Sequence, residues 1–189
     1  RKTYPMTIAG LHRELPICAL NDHLAIGAFV IFGDPELTTA AAKALLAIAP
    51  AYDYIITAEA KGIPLAHEMA RLAGNQKYLV ARKKAKAYMQ EVFDVPVHSI
   101  TTAGEQHLFL DKADAELIHG SRICIVDDVI STGESLHAVE ELVKAAGGNV
   151  VGRLAILAEG DSQTRDDILY LEKLPLFHPD GTILEGSLH

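Results

Sequence analysis

Ile123-Cys124-Ile125-Val126-Asp127-Asp128-Val129-Ile130-Ser131-Thr132-Gly133-Glu134-Ser135 is the stretch whose reading decides the fold. Apolar residues lead into a pair of acids, two more apolar residues follow, and the chain then turns small and polar. A run without polar alternation predicts a strand covered on both faces, over Arg122–Ile130, which is the habit of parallel sheets. Ser131–Ser135 reads as a turn. Behind it, Leu136, Val139, Leu142 and Val143 share one face of a helix that Gly147-Gly148 ends, and Val150–Ala158 is a further buried strand.

Upstream the same alternation repeats. Asp34 caps a helix with Pro35 at its first position and an Ala/Leu run to Ala49. Tyr54–Thr57 is a short strand, Pro64–Ala73 a helix with Leu65, Met69 and Leu72 on one face, and Tyr78–Ala81 another strand. A cationic segment follows from Arg82 to about Gln90. Pro96–Ile100 and Leu108–Leu110 read as a pair of shorter strands. Strands alternating with helices give an α/β fold with a central parallel sheet flanked by helices, whose ligands gather at the carboxyl ends of the strands. The two ends, 1–33 and 166–189, do not continue the alternation. They are expected to fold together as a small hood over a core of about 34–165, in a single domain spanning 1–189.

Composition narrows the function classes. With 189 residues, 49% hydrophobic, the chain can bury one substantial core. A formal charge of −8 argues against a general nucleic-acid binder, which needs a basic surface. No apolar run reaches membrane-span length, and Arg1–Gly10 lacks the apolar core of a signal peptide. Cys18 and Cys124 are too few for a disulfide framework and read as buried thiols of a reducing cytoplasm. The nine histidines are scattered, without HExxH or paired spacing. His107 and His137 read as surface or helix residues, and Glu140-Glu141 as a solvated helix face. No GxxxxGK[ST] loop is present.

The chemistry concentrates where the long strand ends. Free N–H groups at a helix start, the Thr132 and Ser135 hydroxyls and a glycine allowing close approach suit a phosphate monoester. Asp127 and Asp128 can accept from vicinal ribose hydroxyls or hold Mg²⁺ through water. A solvated strand end capping the next helix is the plainer alternative for a lone Asp-Asp pair, but the flanking residues on both sides favour the ligand site.

As a whole the stretch resembles the phosphoribosyl pyrophosphate (PRPP) motif of type I phosphoribosyltransferases: four apolar residues, two acids, two apolar residues, a small residue, Thr, Gly, any residue, and Thr or Ser. Thr57-Ala58-Glu59-Ala60-Lys61-Gly62 is similar to the family's pyrophosphate loop. Arg82, Lys83, Lys84 and Lys86 stand where the family places cations and begins its catalytic loop, although a lysine run taken alone is a solvated face. The resemblance implies a reaction of PRPP with a nucleobase, with Mg²⁺ as cofactor and a homodimeric, cytoplasmic enzyme. It implies PRPP contacts from Glu59, Ala60, Lys61, Gly62, Arg82, Lys86, Asp127, Asp128, Ser131, Thr132, Gly133, Glu134 and Ser135. Among these, Asp127, Asp128, Lys61 and Arg82 carry the catalytic roles, and Asp127 and Asp128 the metal.

Base contacts are expected from Phe32 and Ile130; Phe29 and Phe32 are candidates for stacking on a base, with a place in the core as the alternative. Ser131 stands where hypoxanthine and guanine enzymes of the family carry an Asp and adenine-type members an Ala, which points first to adenine. Xanthine or orotate is the alternative, since Lys61–Ala66 and the lysine segment also resemble orotate enzymes. Thr102-Ala103-Gly104-Glu105 departs from the Glu-Tyr-Gly of adenine enzymes, which motivates a third reading, a PRPP-binding regulator without base transfer.

Overall fold

The computed structural model describes residues 2–97 and 106–189. Its elements are β1 (Thr3–Ile8), β2 (Leu11–Ala19), β3 (Ala25–Gly27), α1 (Pro35–Ile48), β4 (Tyr54–Ala58), α2 (Ile63–Ala73), β5 (Leu79–Ala81), β6 (Val92–Val97), β7 (Gln106–Asp111), α3 (Lys112–Ile118), β8 (Arg122–Ile130), α4 (Glu134–Ala145), β9 (Asn149–Glu159), β10 (Leu169–Leu174) and β11 (Leu176–Phe177). A five-stranded parallel sheet runs in the order β10-β9-β8-β4-β5.

The apolar run of β8 serves both faces of this sheet. Cys124 and Val126 pack into one core with α1 and α2 residues such as Leu45 and Met69. Ile123, Ile125 and Ile130 enter the opposite core with Leu136, Val139 and Leu142 of α4. Covering both faces removes any need for polar alternation.

α1 starts as its sequence predicts: the Asp34 carboxylate accepts the Leu37 N–H at 3.1 Å. Arg13 of β2 grips the same carboxylate at 2.8 and 3.1 Å and reaches Glu36 at 2.9 Å. The guanidinium holds the Asp34 carboxyl below the usual carboxylate range and ties the hood to the core. The hood itself is a sheet ordered β1-β2-β3-β11. Gln163 pins the tail beneath it, donating within 3.0 Å of the Leu174 and Ser187 carbonyls and accepting from the His189 N–H at 2.8 Å.

Several boundaries differ from the expectation. A hood starting at 166 assigns Leu169–Leu174 to it, yet this segment is β10, the edge strand of the central sheet. α3 was not anticipated; Asp111 caps it by accepting the Ala113 N–H at 3.3 Å. The expected strand over Pro96–Ile100 starts earlier, at Val92, and pairs antiparallel with β7; residues 98–100 lie outside the described residues. Arg82 joins this hairpin to β5 by exchanging backbone hydrogen bonds with Phe109 at 2.9 and 2.8 Å. Cys124 is buried, but Cys18 is only half-buried. Of the pair expected on a solvated helix face, Glu141 is exposed, whereas Glu140 is half-buried and accepts from Arg153 at 2.8 Å. Among the described residues, no helix is long and apolar enough to cross a membrane.

Candidate active site

The carboxyl ends of β4, β5, β8 and β9 bring most of the predicted residues together. At the end of β8, Asp127 accepts the Asp128 N–H and Asp128 accepts the Val129 N–H, each at 2.8 Å. Asp128 is buried and Asp127 half-buried. Burial, reinforced by the adjoining Asp128 carboxylate, raises the Asp127 carboxyl well above its ordinary range; Lys61 offsets part of this. Such a pair is suited to a cation or to hydroxyl donors.

Past the pair, Gly133 takes a φ of +84° and caps α4 without a side chain. That left-handed geometry opens the helix start, where Thr132 Oγ1 accepts the Glu134 N–H at 3.4 Å. The turn encloses a cleft of about 130 Å³ walled by Asp127, Ile130, Ser131, Thr132, Gly133 and Ser135. A Cβ on Gly133 would lie 2.8 Å from Nη1 of Arg165, a cation held by Asp167 through two 2.8 Å hydrogen bonds.

The loop after β4 closes on the same acids. A Cβ on Gly62 would stand 2.2 Å from Thr57 Oγ1 and 3.2 Å from Asp127 Oδ1, so only glycine lets the loop lie this close. Ala60 and Lys61 are exposed beside it. Glu59 and Arg82 meet each other rather than presenting free side chains: Glu59 Oε1 lies 3.3 Å from Arg82 Nε and accepts the Lys83 N–H at 2.6 Å. Burial works to raise the Glu59 pKa, but the Lys83 amide and the Arg82 guanidinium outweigh it and hold it low. Arg82 also donates to the Tyr88 hydroxyl. Lys86 is half-buried in a turn closed by the Met89 N–H on its carbonyl at 3.0 Å.

A third group was not anticipated. Ser131 Oγ donates to Glu159 Oε1 at 2.7 Å, and the Ser162 hydroxyl lies 2.7 and 2.9 Å from the Ile130 and Glu159 carbonyls. Glu159 ends β9 and is only 9% exposed; burial raises its pKa, against the Ser131 hydroxyl. Together with Ser131, Thr132, Asp161 and the hood residues Leu176 and Glu185, it lines a cleft of about 330 Å³ adjoining the Ser131–Ser135 turn. Sequence reasoning had one available signal: an acid closing the otherwise apolar run Leu154–Ala158. Of the residues expected to meet a base, Ile130 is buried in the core while walling the smaller cleft. Phe32 is half exposed on the chain leaving β3, and Phe29 is buried in the core. Neither phenylalanine walls the larger cleft. Thr102–Glu105 lies outside the described residues.

This constellation has relatives. A hypoxanthine/guanine phosphoribosyltransferase of Methanococcus voltae is 33% identical over 163 residues, covering 83% of each chain. Another, from Methanococcus maripaludis, is 35% identical over 111 residues, 59% of this chain; that match spans little more than half, 56%, of the relative. Among solved structures, the adenine phosphoribosyltransferase of Rhodothermus marinus superposes with a TM-score of 0.61 at 26% identity, over 76% of this chain and 83% of its own. That of Saccharomyces cerevisiae gives a TM-score of 0.58 at 25% identity, over 75% and 82%. The family model for the phosphoribosyl transferase domain matches residues 36–175, and the chain belongs to the type I phosphoribosyltransferases.

Proposed function

We propose that the chain is a purine phosphoribosyltransferase that transfers the phosphoribosyl group of PRPP to adenine, giving AMP and pyrophosphate. The observation that carries this reading is the approach of the Lys61-Gly62 loop to Asp127, with Asp127 Oδ1 3.2 Å from a Gly62 Cβ position, beside the Ser131–Ser135 turn. A pyrophosphate loop, a ribose-binding acid pair and a phosphate cradle thereby adjoin.

In this reading the amides opened by Gly133, with Thr132, Glu134 and Ser135, receive the 5-phosphate. Asp127 and Asp128 accept from the ribose hydroxyls. Lys61 and the Glu59–Gly62 backbone face the pyrophosphate. Arg82 and Lys86 supply positive charge at the loop margin, Arg82 through its link to Glu59. The bond from ribose C1 to pyrophosphate oxygen breaks with its electron pair leaving on pyrophosphate, a base nitrogen donates its lone pair to C1, and the base N–H proton goes to solvent. Positioning and charge neutralisation supply the acceleration.

The two neighbouring carboxylates, offset only in part by Lys61, fit Mg²⁺, which binds through few protein carboxylates and fills its shell with water and phosphate oxygens. Asp127 and Asp128 would hold it, and when bound it supplies neutralisation of the leaving pyrophosphate. A homodimer acting in the cytoplasm completes the proposal, and light scattering on the purified protein tests the dimer.

Adenine is supported by Ser131 and by the acid-lined cleft. A hypoxanthine or guanine enzyme is the second reading, favoured by the names of the Methanococcus relatives. Incubation with PRPP, Mg²⁺ and adenine, hypoxanthine, guanine, xanthine and orotate in turn tests both readings. AMP formation abolished by Asp127→Asn/Asp128→Asn is the expected result. IMP or GMP alone moves the assignment to the second reading; PRPP-dependent thermal stabilisation without any nucleotide points to a binding protein.

A further inference from the structure

We infer that Glu159 is the base-selecting residue of this site: its carboxylate, held by Ser131, accepts the N–H donors of a 6-aminopurine and repels a 6-oxo edge. This rests on the transferase reading above and adds the group that chooses the base.

Position comes from strand register. β8 and β9 run parallel with Ile130 opposite Ala158, so Ser131, just past β8, and Glu159, the last residue of β9, stand side by side at the carboxyl end of the sheet. The first belongs to the sugar-phosphate turn and the second to the wall of the adjoining cleft. A base joined to ribose C1 must lie next to that turn, and a volume of about 330 Å³ falls in the range of small-ligand sites.

Polarity comes from the hydrogen bonds. Glu159 Oε1 takes the Ser131 proton at 2.7 Å; its other oxygen has no hydrogen-bond partner among the described residues. With that proton committed, Ser131 offers the cleft only lone pairs. Ser187 is likewise engaged, within 2.6 Å of the Leu184 carbonyl and 3.0 Å of the Leu176 N–H. Asp161 and Glu185 stand at the rim, 99% and 84% exposed. Among the described residues no lysine or arginine lines this cleft. The wall is therefore rich in acceptors. An amino group beside Glu159 satisfies the open oxygen, whereas a carbonyl oxygen there would face a carboxylate.

The test is Glu159→Gln, since an amide presents an N–H₂ as well as an oxygen. In wild type, kcat/KM for adenine should exceed that for hypoxanthine. In the variant the adenine-to-hypoxanthine ratio should fall roughly 10- to 100-fold, the range for losing one hydrogen bond to a charged group. The ratio of AMP to IMP affinity, read by thermal shift, should fall with it, a readout that general loosening of the fold would not move. A wild-type preference for hypoxanthine, or an unchanged ratio in the variant, overturns the assignment of Glu159 while leaving the transferase reading intact. Absence of nucleotide from every base in wild type defeats the transferase reading instead. Should Glu159→Gln lack a cooperative melt, Ser131→Ala decides: the ratio should fall several-fold, and an unchanged ratio refutes the role.

Discussion

Replacing Gly62 by Ala tests whether close approach of the β4 loop to the acids is what builds the site. The added methyl would sit 2.2 Å from Thr57 Oγ1, 3.2 Å from Asp127 Oδ1 and 3.4 Å from the Asp127 Cα. Thr57 is fully buried and the Asp127 backbone belongs to β8, so neither neighbour is the loose end of a flexible chain. Overpacking of this kind costs about 1–3 kcal/mol. Gly62 has a φ of −80°, which alanine adopts freely, so the smaller entropy of the unfolded alanine chain returns about 0.4–1 kcal/mol. The net loss of about 1–2 kcal/mol lowers Tm by roughly 2–8 °C for a chain of this size. Urea and thermal unfolding measure it directly. Thr57→Ala removes the nearest clashing atom, so in a double-mutant cycle it should harm the Gly62→Ala background less than wild type, by about 1 kcal/mol of coupling. PRPP-induced stabilisation should fall in the single variant and partly return in the double. A Gly62→Ala protein as stable as wild type, or strict additivity, would refute the reasoning.

Asp127→Asn should stabilise the ligand-free protein at neutral pH while abolishing stabilisation by PRPP. The folded Asp127 pKa is raised by burial and by Asp128, so its contribution to stability is present below the unfolded value and lost as pH rises through the folded one; the Tm gain should vanish on acidification. Cys124, whose thiol burial pushes up to about 12, should resist alkylation at pH 8, and mass spectrometry should count at most one label on the native chain and two after unfolding. Glu59→Gln weakens the link to Arg82 and the Lys83 amide; stability should fall by about 1 kcal/mol, and hydrogen exchange at the Lys83 amide should accelerate. Protection unchanged there would mean that the 2.6 Å contact does not hold the loop.

What the sequence made legible follows from where physics is local. The strand Arg122–Ile130 was readable because both faces are buried and the four residues before the acids, Ile123–Val126, are all apolar. Asp34-Pro35 was readable because capping is settled within four residues. β10 was not, because an edge strand needs little apolar continuity: Glu172 and Lys173 are exposed while Leu174 is buried. α3 spans seven residues, about two turns, too short for a periodicity to emerge, and Asp111 alone marks it. The Ser131–Glu159 pair was hidden for another reason. Its members are 28 residues apart, and only the register of β8 on β9 brings them together. Glu59 and Arg82 were legible as members of one candidate site, but not as partners, since the partnership depends on β5 lying beside β4.

A chain of formal charge −8 cannot attract the phosphate- and pyrophosphate-bearing substrate of the proposed reaction by its net field. At physiological ionic strength that field is screened beyond about 8 Å, so recognition must come from groups nearly touching the substrate. Backbone N–H groups meet this demand best, because they carry no counter-charge to be desolvated and are fixed by the fold. They work only where no side chain stands between them and the ligand. In the proposed site both loops assigned to the anions carry glycine at the decisive point, Gly133 opening the start of α4 and Gly62 laying its loop on Asp127. The acids between those loops raise their own cost by sitting together, and that cost falls when substrate hydroxyls or a cation arrive. Binding energy is thus stored as an unfavourable charge arrangement of the empty site, which is why Asp127→Asn should stabilise the fold and disable the enzyme in the same step.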